Sequence, residues 1–388
     1  MTRGISLGVG QGIDGREAAR QATQEALDRL GTARPQGIIV FSAQEYPVAE
    51  VFAGLASLPA ELPIWGMTTS RAFTRQGERP RSVVVAILSN PDWKIKTVWQ
   101  PQFGHESTTA GSRLIQALAE GTNRWNGLLL AADGIQGDIS QVLPELTGLN
   151  LPVAGGLASG EVQMGMTYQF GGNQWSNGAL SGLVLGGRLC LGSGLGQGWH
   201  DAGIYFTVTK SNGMWLQGLD RLTPAEAYGR IFDVSAREWA FPPMNQLARL
   251  YPIGLEVSQG GPERIVRSPI QVEVDGSFRM NASIAQEQTV HLMVGDAQAC
   301  LENARLSVRQ ALAGLGSARP LLAFIFIDQA WQILLEAHPG KLAAVLREEL
   351  GDVPLLGAYT LGQVVRPPGE ELVRFYNQAI LTAVIGEV

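Results

Sequence analysis

The residues best equipped for chemistry in this sequence are glycine-flanked hydroxyls, an arginine and two aspartates. No nucleophile is paired with a base. Three segments share one form, a proline followed three positions later by glycine and then by small or hydroxyl residues: Pro63-Ile-Trp-Gly66-Met-Thr68-Thr69-Ser70-Arg71, Pro152-Val-Ala-Gly155-Gly156-Leu-Ala-Ser159 and Pro354-Leu-Leu-Gly357-Ala-Tyr359-Thr360. Glycine lets a backbone approach a small molecule closely, and hydroxyls both donate and accept hydrogen bonds. Arg71 has the geometry to clamp a carboxylate, and Tyr359 can stack or hydrogen-bond. Asp133 and Asp328 close apolar runs in two parallel contexts, where Ser42 closes a third. A carboxylate at such a strand end could hold an ammonium, act as a base, or simply cap the next turn. Turn chemistry alone accounts for many of these residue types. Together they form the candidate ligand-binding set, with no catalytic or metal-binding residue assigned.

A second motif, Gly10-Gln-Gly12-Ile-Asp14-Gly15, follows one predicted strand and precedes a predicted helix. That is the context of a dinucleotide site. It lacks the acidic residue about 20 positions further on that a ribose would need, because Pro35-Gln36-Gly37 stands there. Asp14 would also face the phosphates, and a turn capped by Asp14 fits equally. No P-loop, no G-x-S-x-G elbow and no HExxH occurs. Cys190 and Cys300 lie far apart and the four histidines are isolated, which suits reduced core thiols and no zinc site. No cofactor is expected.

These residues must be positioned by elements that recur. Gly37–Ser42, Gly127–Asp133 and Leu321–Asp328 are apolar runs of the kind that form strands buried on both faces. Each is followed by an apolar stripe at helical spacing: Val48, Val51, Phe52 and Leu55; Ile139, Val142, Leu143 and Leu146; Leu342, Val345, Leu346 and Leu350. An earlier helix precedes each run, with Asp14, Ser107 and Asp296 as the expected N-caps. The lead-in strands are Ile5–Val9, Ile95–Trp99 and Val290–Val294. The closing strands are Val83–Leu88, Ala179–Leu185 and Ala379–Ile385. The repeated unit is therefore strand, helix, strand, helix, glycine-bearing strand, strand. It predicts an α/β fold of mixed sheets covered by helices.

Residues 188–290 interrupt the pattern and are β-rich. Asn212-Gly213 and Asp275-Gly276 mark hairpins, and Thr223-Pro224-Ala-Glu226 opens a capped helix. The domain division falls near 223, giving 1–222, with two α/β repeats, and 223–388, with the β-rich start and the third. The bulk properties agree with a globular protein: 45% hydrophobic and 16% charged residues, with a net charge of −6. An acidic chain without a basic face does not suit nucleic acid. Gly178–Gly198 is broken by Arg188 and rich in glycine, so it predicts paired strands rather than a membrane helix. The N-terminus shows no secretory pattern, and a cytoplasmic location is expected.

The order of several motifs resembles the FIST family (F-box and intracellular signal transduction). In the N-terminal half these are Gly37–Ser42, Pro63-Ile-Trp-Gly-Met-Thr-Thr, Pro152-Val-Ala-Gly-Gly, Val208-Thr209 and Leu219-Asp220. In the C-terminal half they are Tyr251-Pro-Ile-Gly254, Arg267, Val274-Asp-Gly-Ser-Phe278, Gly295-Asp296 and Pro354 to Gln363. The resemblance implies an intracellular sensor of small ligands such as amino acids or their derivatives. Its output would pass through a signalling partner or an oligomer. The alternative is a nucleotide-dependent enzyme or hydrolase using the glycine loops. Asp328-Gln329-Ala330-Trp331 stands where the family commonly has Cys and then Arg, and Gly362-Gln363 stands for its terminal Gly-Glu. Both departures imply an altered or lost ligand.

Overall fold

The computed structural model describes residues 4–120, 124–160, 165–258, 261 and 263–388. The first unit contains β1 (Ile5–Gly10), α1 (Gly15–Leu30), β2 (Gly37–Ala43), α2 (Val48–Gly54), β3 (Ile64–Thr69), the hairpin β4 (Ala72–Thr74) and β5 (Gly77–Arg79), and β6 (Val83–Leu88). The second contains β7 (Trp93–Gln100), α3 (Ser107–Ala119), β8 (Trp125–Ala132), α4 (Leu143–Gly148), β9 (Val153–Ala158), the hairpin β10 (Gln169–Gly171) and β11 (Gln174–Ser176), and β12 (Leu180–Gly187). Strand order is β1-β6-β2-β3 in one and β7-β12-β8-β9 in the other. In both, the last two strands of the order, β2–β3 and β8–β9, run parallel and the other neighbours antiparallel.

Next come β13 (Leu189–Gln197), β14 (Trp199–Asn212), β15 (Trp215–Leu219), α5 (Pro224–Phe232), α6 (Met244–Leu247), β16 (Ile253–Glu256), β17 (Arg264–Arg267), β18 (Pro269–Val272), β19 (Phe278–Met280) and β20 (Thr289–Gly295). The last elements are α7 (Ala297–Ala313), β21 (Arg319–Asp328), α8 (Gln329–Leu334), α9 (Lys341–Leu350), β22 (Leu355–Val365), β23 (Arg374–Tyr376) and β24 (Ala379–Glu387). The third unit has the order β13-β24-β21-β22. Its lead-in strand is thus β13 and not Val290–Val294. The latter lies in β20, inside a separate antiparallel sheet, β17-β16-β20-β14-β15-β19-β18.

The reason is steric. A Cβ at Gly8 or Gly10 would sit 1.9 Å from the Ala22 or Ala18 carbonyl oxygen of α1, and one at Gly192 or Gly194 2.1 Å from the Ala311 or Ser307 carbonyl oxygen of α7. Helix backbone lies directly on the strand in both units, which only a glycine stripe permits.

The three units close a ring. Each glycine signature pairs with the hairpin region of another unit: Gly66 opposite Phe170, Gly155 opposite Val364, and Gly357 opposite Phe73. The inner faces share one core containing Phe41, Trp65, Leu129, Leu183, Phe324 and Leu381, while the helices cover the three outer faces in separate clusters. The antiparallel module has its own core around Tyr228, Trp239 and Phe278.

Local signals act as expected at most ends. Asp14 accepts from Glu17 N, Asp296 from Ala299 N, and Thr223 with Glu226 forms a capping box. The two Asx-Gly hairpins join β14 to β15 and β18 to β19. Ser107 differs. It is the first residue of α3, its hydroxyl donates to Phe103 O at 2.9 Å, and it accepts from Asp138 N at 2.9 Å. It therefore ties α3 to the neighbouring loop instead of capping its own helix.

Candidate functional site

Ring closure carries the ends of the signature strands into one junction. Ser70 N donates to Ser159 Oγ at 2.9 Å, Ser159 Oγ donates to Tyr359 O at 2.5 Å, and Thr69 Oγ1 donates to the same carbonyl at 2.8 Å. One residue from each unit thus meets at a single oxygen. Thr69 and Ser159 are fully buried and Tyr359 nearly so. Both side-chain hydroxyls are spent on a backbone carbonyl.

The remaining candidates fall around this knot. Thr68 Oγ1 accepts from Tyr168 N at 2.9 Å. Thr360 Oγ1 donates to Ile327 O at 3.2 Å and accepts from Gln363 Nε2 at 2.8 Å, and Gln363 pairs in register with Gly156. Ser42 is fully buried, and its hydroxyl reaches the Ala43 carbonyl at 3.2 Å. Gly66, Gly155 and Gly357 lie in the strands themselves, each facing a neighbouring strand too closely for a side chain.

Asp133 and Asp328 occupy matching positions, one residue beyond the place of Ser42. The registers Ser42↔Thr68, Ala43↔Thr69, Ala132↔Leu157 and Asp328↔Thr360 make Ala43 their counterpart in the first unit. Asp133 accepts from Ile135 N, Gln136 N and Gly178 N at 2.7–2.9 Å. Asp328 accepts from Ala330 N at 3.0 Å and Gln378 N at 2.9 Å. Each carboxylate ties its strand end to the base of its own unit's hairpin.

Burial pushes both acids up, against the pull of these N–H groups, and Asp328 reaches about 6 despite the nearby Arg249. Between about pH 4 and 6 the native protein then holds a proton on Asp328 that an unfolded chain, titrating near 3.9, has released. Stability contributed by this group is full below about pH 4 and falls as pH rises through about 6, by on the order of 3 kcal/mol. Asp328→Asn should abolish that slope, seen as a urea midpoint that falls less between pH 4 and 6.5 than in the wild type.

The solvent-reaching part of the junction is charged. Arg71 Nη1 lies 2.6 Å from Glu78 Oε2, with the two side chains 40% and 32% exposed. Tyr359 Oη donates to Glu78 Oε1 at 2.7 Å, and burial keeps its hydroxyl protonated far above the usual range. The Gln332 amide oxygen, oriented by the donors around it, accepts from Arg71 Nε and Nη2 at 3.0 Å. Glu78 and Gln332 carry no motif, since one is a hairpin position and the other a position in a short helix. In the fold Glu78 stands opposite Phe73 in the hairpin that directly follows Arg71.

The GxGxxG turn is already occupied by carboxylates. Asp14 Oδ1 takes Glu17 N at 2.8 Å, Glu50 Oε2 takes Gly15 N at 3.0 Å, and Glu17 Oε2 takes Ile13 N at 3.3 Å. An incoming pyrophosphate would meet three negative charges where it needs free donors. Trp65 and Trp331 are packed in cores, Trp331 donating to Gln378 O at 3.0 Å. Both cysteines are free thiols, and no helix among the described residues is long and apolar enough to cross a membrane.

The FIST N domain matches residues 36–221 and the FIST C domain residues 224–366. This chain belongs to the FIST family. FIST domains are associated with sensing in signal transduction. No curated protein matches the sequence. Among solved structures, a cyanuric acid hydrolase from A. caulinodans is similar at 8% identity over 99% of both chains, with a TM-score of 0.39. A chorismatase is similar at 9% identity over 100% of this chain and 99% of that one, TM-score 0.36. PurLQS from Thermotoga maritima is similar at 9% identity over 99% of this chain and 72% of that one, TM-score 0.25. Likenesses this distant assign no activity.

Arg267, one of the FIST features of the C-terminal half, lies where the antiparallel module meets the third unit. Arg267 Nη1 donates to Phe375 O at 2.8 Å and its guanidinium stacks on the Phe375 ring, 5.1 Å from its centroid. Gln378 Nε2 donates to Arg249 O at 2.6 Å and to Ser268 Oγ at 2.8 Å. These contacts make the module a brace for the loop that Asp328 holds from the other side.

Proposed function

We propose that this protein is an intracellular sensor that binds a small amphoteric metabolite, an amino acid or a close relative, and passes a conformational change to a partner protein or a second copy. The observation that supports it is the half-exposed Arg71–Glu78 pair at the three-unit junction. A guanidinium and a carboxylate side by side match the carboxylate and ammonium of an amino acid. Entry of the ligand would separate the pair, and its ammonium would compete with the Tyr359 hydroxyl for Glu78. That bond ties the β4–β5 hairpin to the third unit. A ligand favouring the opened arrangement shifts the equilibrium by its differential affinity.

The test is a thermal-shift screen against amino acids, dicarboxylates and nucleotides. A ligand at a hundred times its Kd should add about 2.7 kcal/mol. Arg71→Met should remove that gain while leaving the ligand-free melting temperature within a few degrees. No shift with any amino acid, or an equal shift in Arg71→Met, overturns this reading. A shift confined to nucleotides would instead favour the enzyme alternative.

A further inference from the structure

The ring has three junctions, and they are not alike. At each, the lead-in strand of one unit lies against the strand starts of another. The registers Ile38↔Ile64, Leu128↔Val153 and Ala323↔Leu355 are equivalent, so Gly37, Gly127 and Leu322 occupy the same place just before them. Two of the three are glycines that receive a large side chain. A Cβ on Gly37 would lie 3.2 Å from Ile95 Cγ2, and one on Gly127 2.7 Å from Leu191 Cβ. The position matching Ile95 and Leu191 in β1 is Ile5, as the strand registers show. The counterpart of Gly37 and Gly127 in the third unit is Leu322, a fully buried side chain where the other two units have none.

The junction between the second and third units is bridged by Asn126, whose Nδ2 donates to Gly187 O at 3.0 Å and Leu189 O at 2.9 Å. The junction between the first and second units keeps a small cleft of about 680 Å³. The junction between the third and first units opens into one of about 1390 Å³.

The large cleft has apolar walls, including Ile5, Leu7, Val9 and Pro354, and four arginines, Arg29, Arg75, Arg79 and Arg319, against Glu25 and Asp352. Arg29 and Arg319 are paired with Glu25 and Glu387. Arg75 spends Nη1 on the Gly351 and Val353 carbonyls, at 2.5 and 3.0 Å, and Arg79 bonds only neutral groups, Thr74 Oγ1 and Gln76 Oε1, both at 3.1 Å. Among the described residues neither has a carboxylate partner. Ser6, also on the wall and 5% exposed, has a hydroxyl without a partner. Edge-strand pairing by a peptide is obstructed, because Glu25 takes Val9 N at 2.6 Å and Arg29 takes Leu7 O at 2.7 Å.

We infer that this cleft binds a small organic anion, with its apolar body on Ile5, Leu7 and Pro354 and its charged group on Arg75 and Arg79. A guanidinium without a carboxylate partner is free to donate to a carboxylate or phosphate. The site is distinct from the Arg71–Glu78 pair. In the β4–β5 hairpin Phe73 pairs with Glu78 and Ala72 with Arg79, so alternation puts Arg79 on the opposite face from Glu78.

Titration calorimetry with 1-naphthoate, 1-naphthyl phosphate and neutral 1-naphthalenemethanol on the full chain tests it. At least one anion should bind and the neutral compound should bind at least about tenfold more weakly. Arg79→Gln should lower anion affinity about tenfold, the equivalent of about 1.4 kcal/mol. Val9→Trp, which fills the wall, should abolish binding with the melting temperature held. Arg71→Met should leave anion binding unchanged, which separates this site from the amino-acid site. The better anion of the two identifies the ligand as a carboxylate or a phosphate. Equal binding of all three compounds, no binding, or wild-type affinity in Arg79→Gln overturns the inference.

Discussion

Asp133→Ala is expected to lower the stability of this protein by about 3–5 kcal/mol, because it orphans two buried N–H groups and one part-buried one, at roughly 1–3 kcal/mol each, while relieving the burial of one carboxylate. Its oxygens accept from Ile135, Gln136 and Gly178 in a site with no exposure. Those bonds hold the end of β8, the loop after it and the return of the β10–β11 hairpin in one arrangement. Asp133→Asn keeps one acceptor oxygen and should recover about half of the loss. Urea unfolding at pH 7 measures both. A loss under about 1 kcal/mol in the alanine variant would show that the loop has other support, and the aspartate would again be a candidate ligand contact.

The second large effect concerns β13. Gly194→Ala should destabilise by about 3 kcal/mol, since the added methyl overpacks a rigid contact. Its Cβ would stand 2.1 Å from Ser307 O and 2.9 Å from Ala311 N. Backbone atoms of α7 cannot step aside as a side chain could, so the helix must lift from the sheet. Gly148 is the control. It ends α4, and a methyl added to it would meet nothing within 4 Å. Gly148→Ala should therefore be neutral or stabilise by up to about 1 kcal/mol through the unfolded chain. Equal effects at the two sites would mean that β13 and α7 are not packed as described.

Both predictions bear on the sensor reading. The junction at Tyr359 O is assembled from residues on three units, so whatever loosens one strand end moves the Arg71–Glu78 pair. An amino-acid response that survived Asp133→Ala unchanged, at a temperature where the variant is folded, would place the switch within the β4–β5 hairpin alone.

Legible in the residues alone were the repeated unit with its helix starts at Asp14 and Asp296, the helix start at Thr223 and the hairpins at Asn212-Gly213 and Asp275-Gly276 in the intervening β-rich segment, and the glycine-bearing strands that carry the candidate residues. These follow from side-chain period, capping and turn geometry, which act over a few neighbouring positions. Long-range packing settled which strand leads the third unit, that Ala43 and not Ser42 matches the two aspartates, and that Glu78 and Gln332 join Arg71. The alternating glycines of 192–196 did repeat the pattern of Gly8 and Gly10, yet β20 stood nearer to α7 in the chain and was equally strand-like. Proximity in sequence could not weigh one against the other, because the deciding term is how closely a helix backbone can approach a strand. The large cleft was hidden for a related reason. Its walls come from residues 4–84 and 319–355, far apart in the chain, and only ring closure brings them face to face.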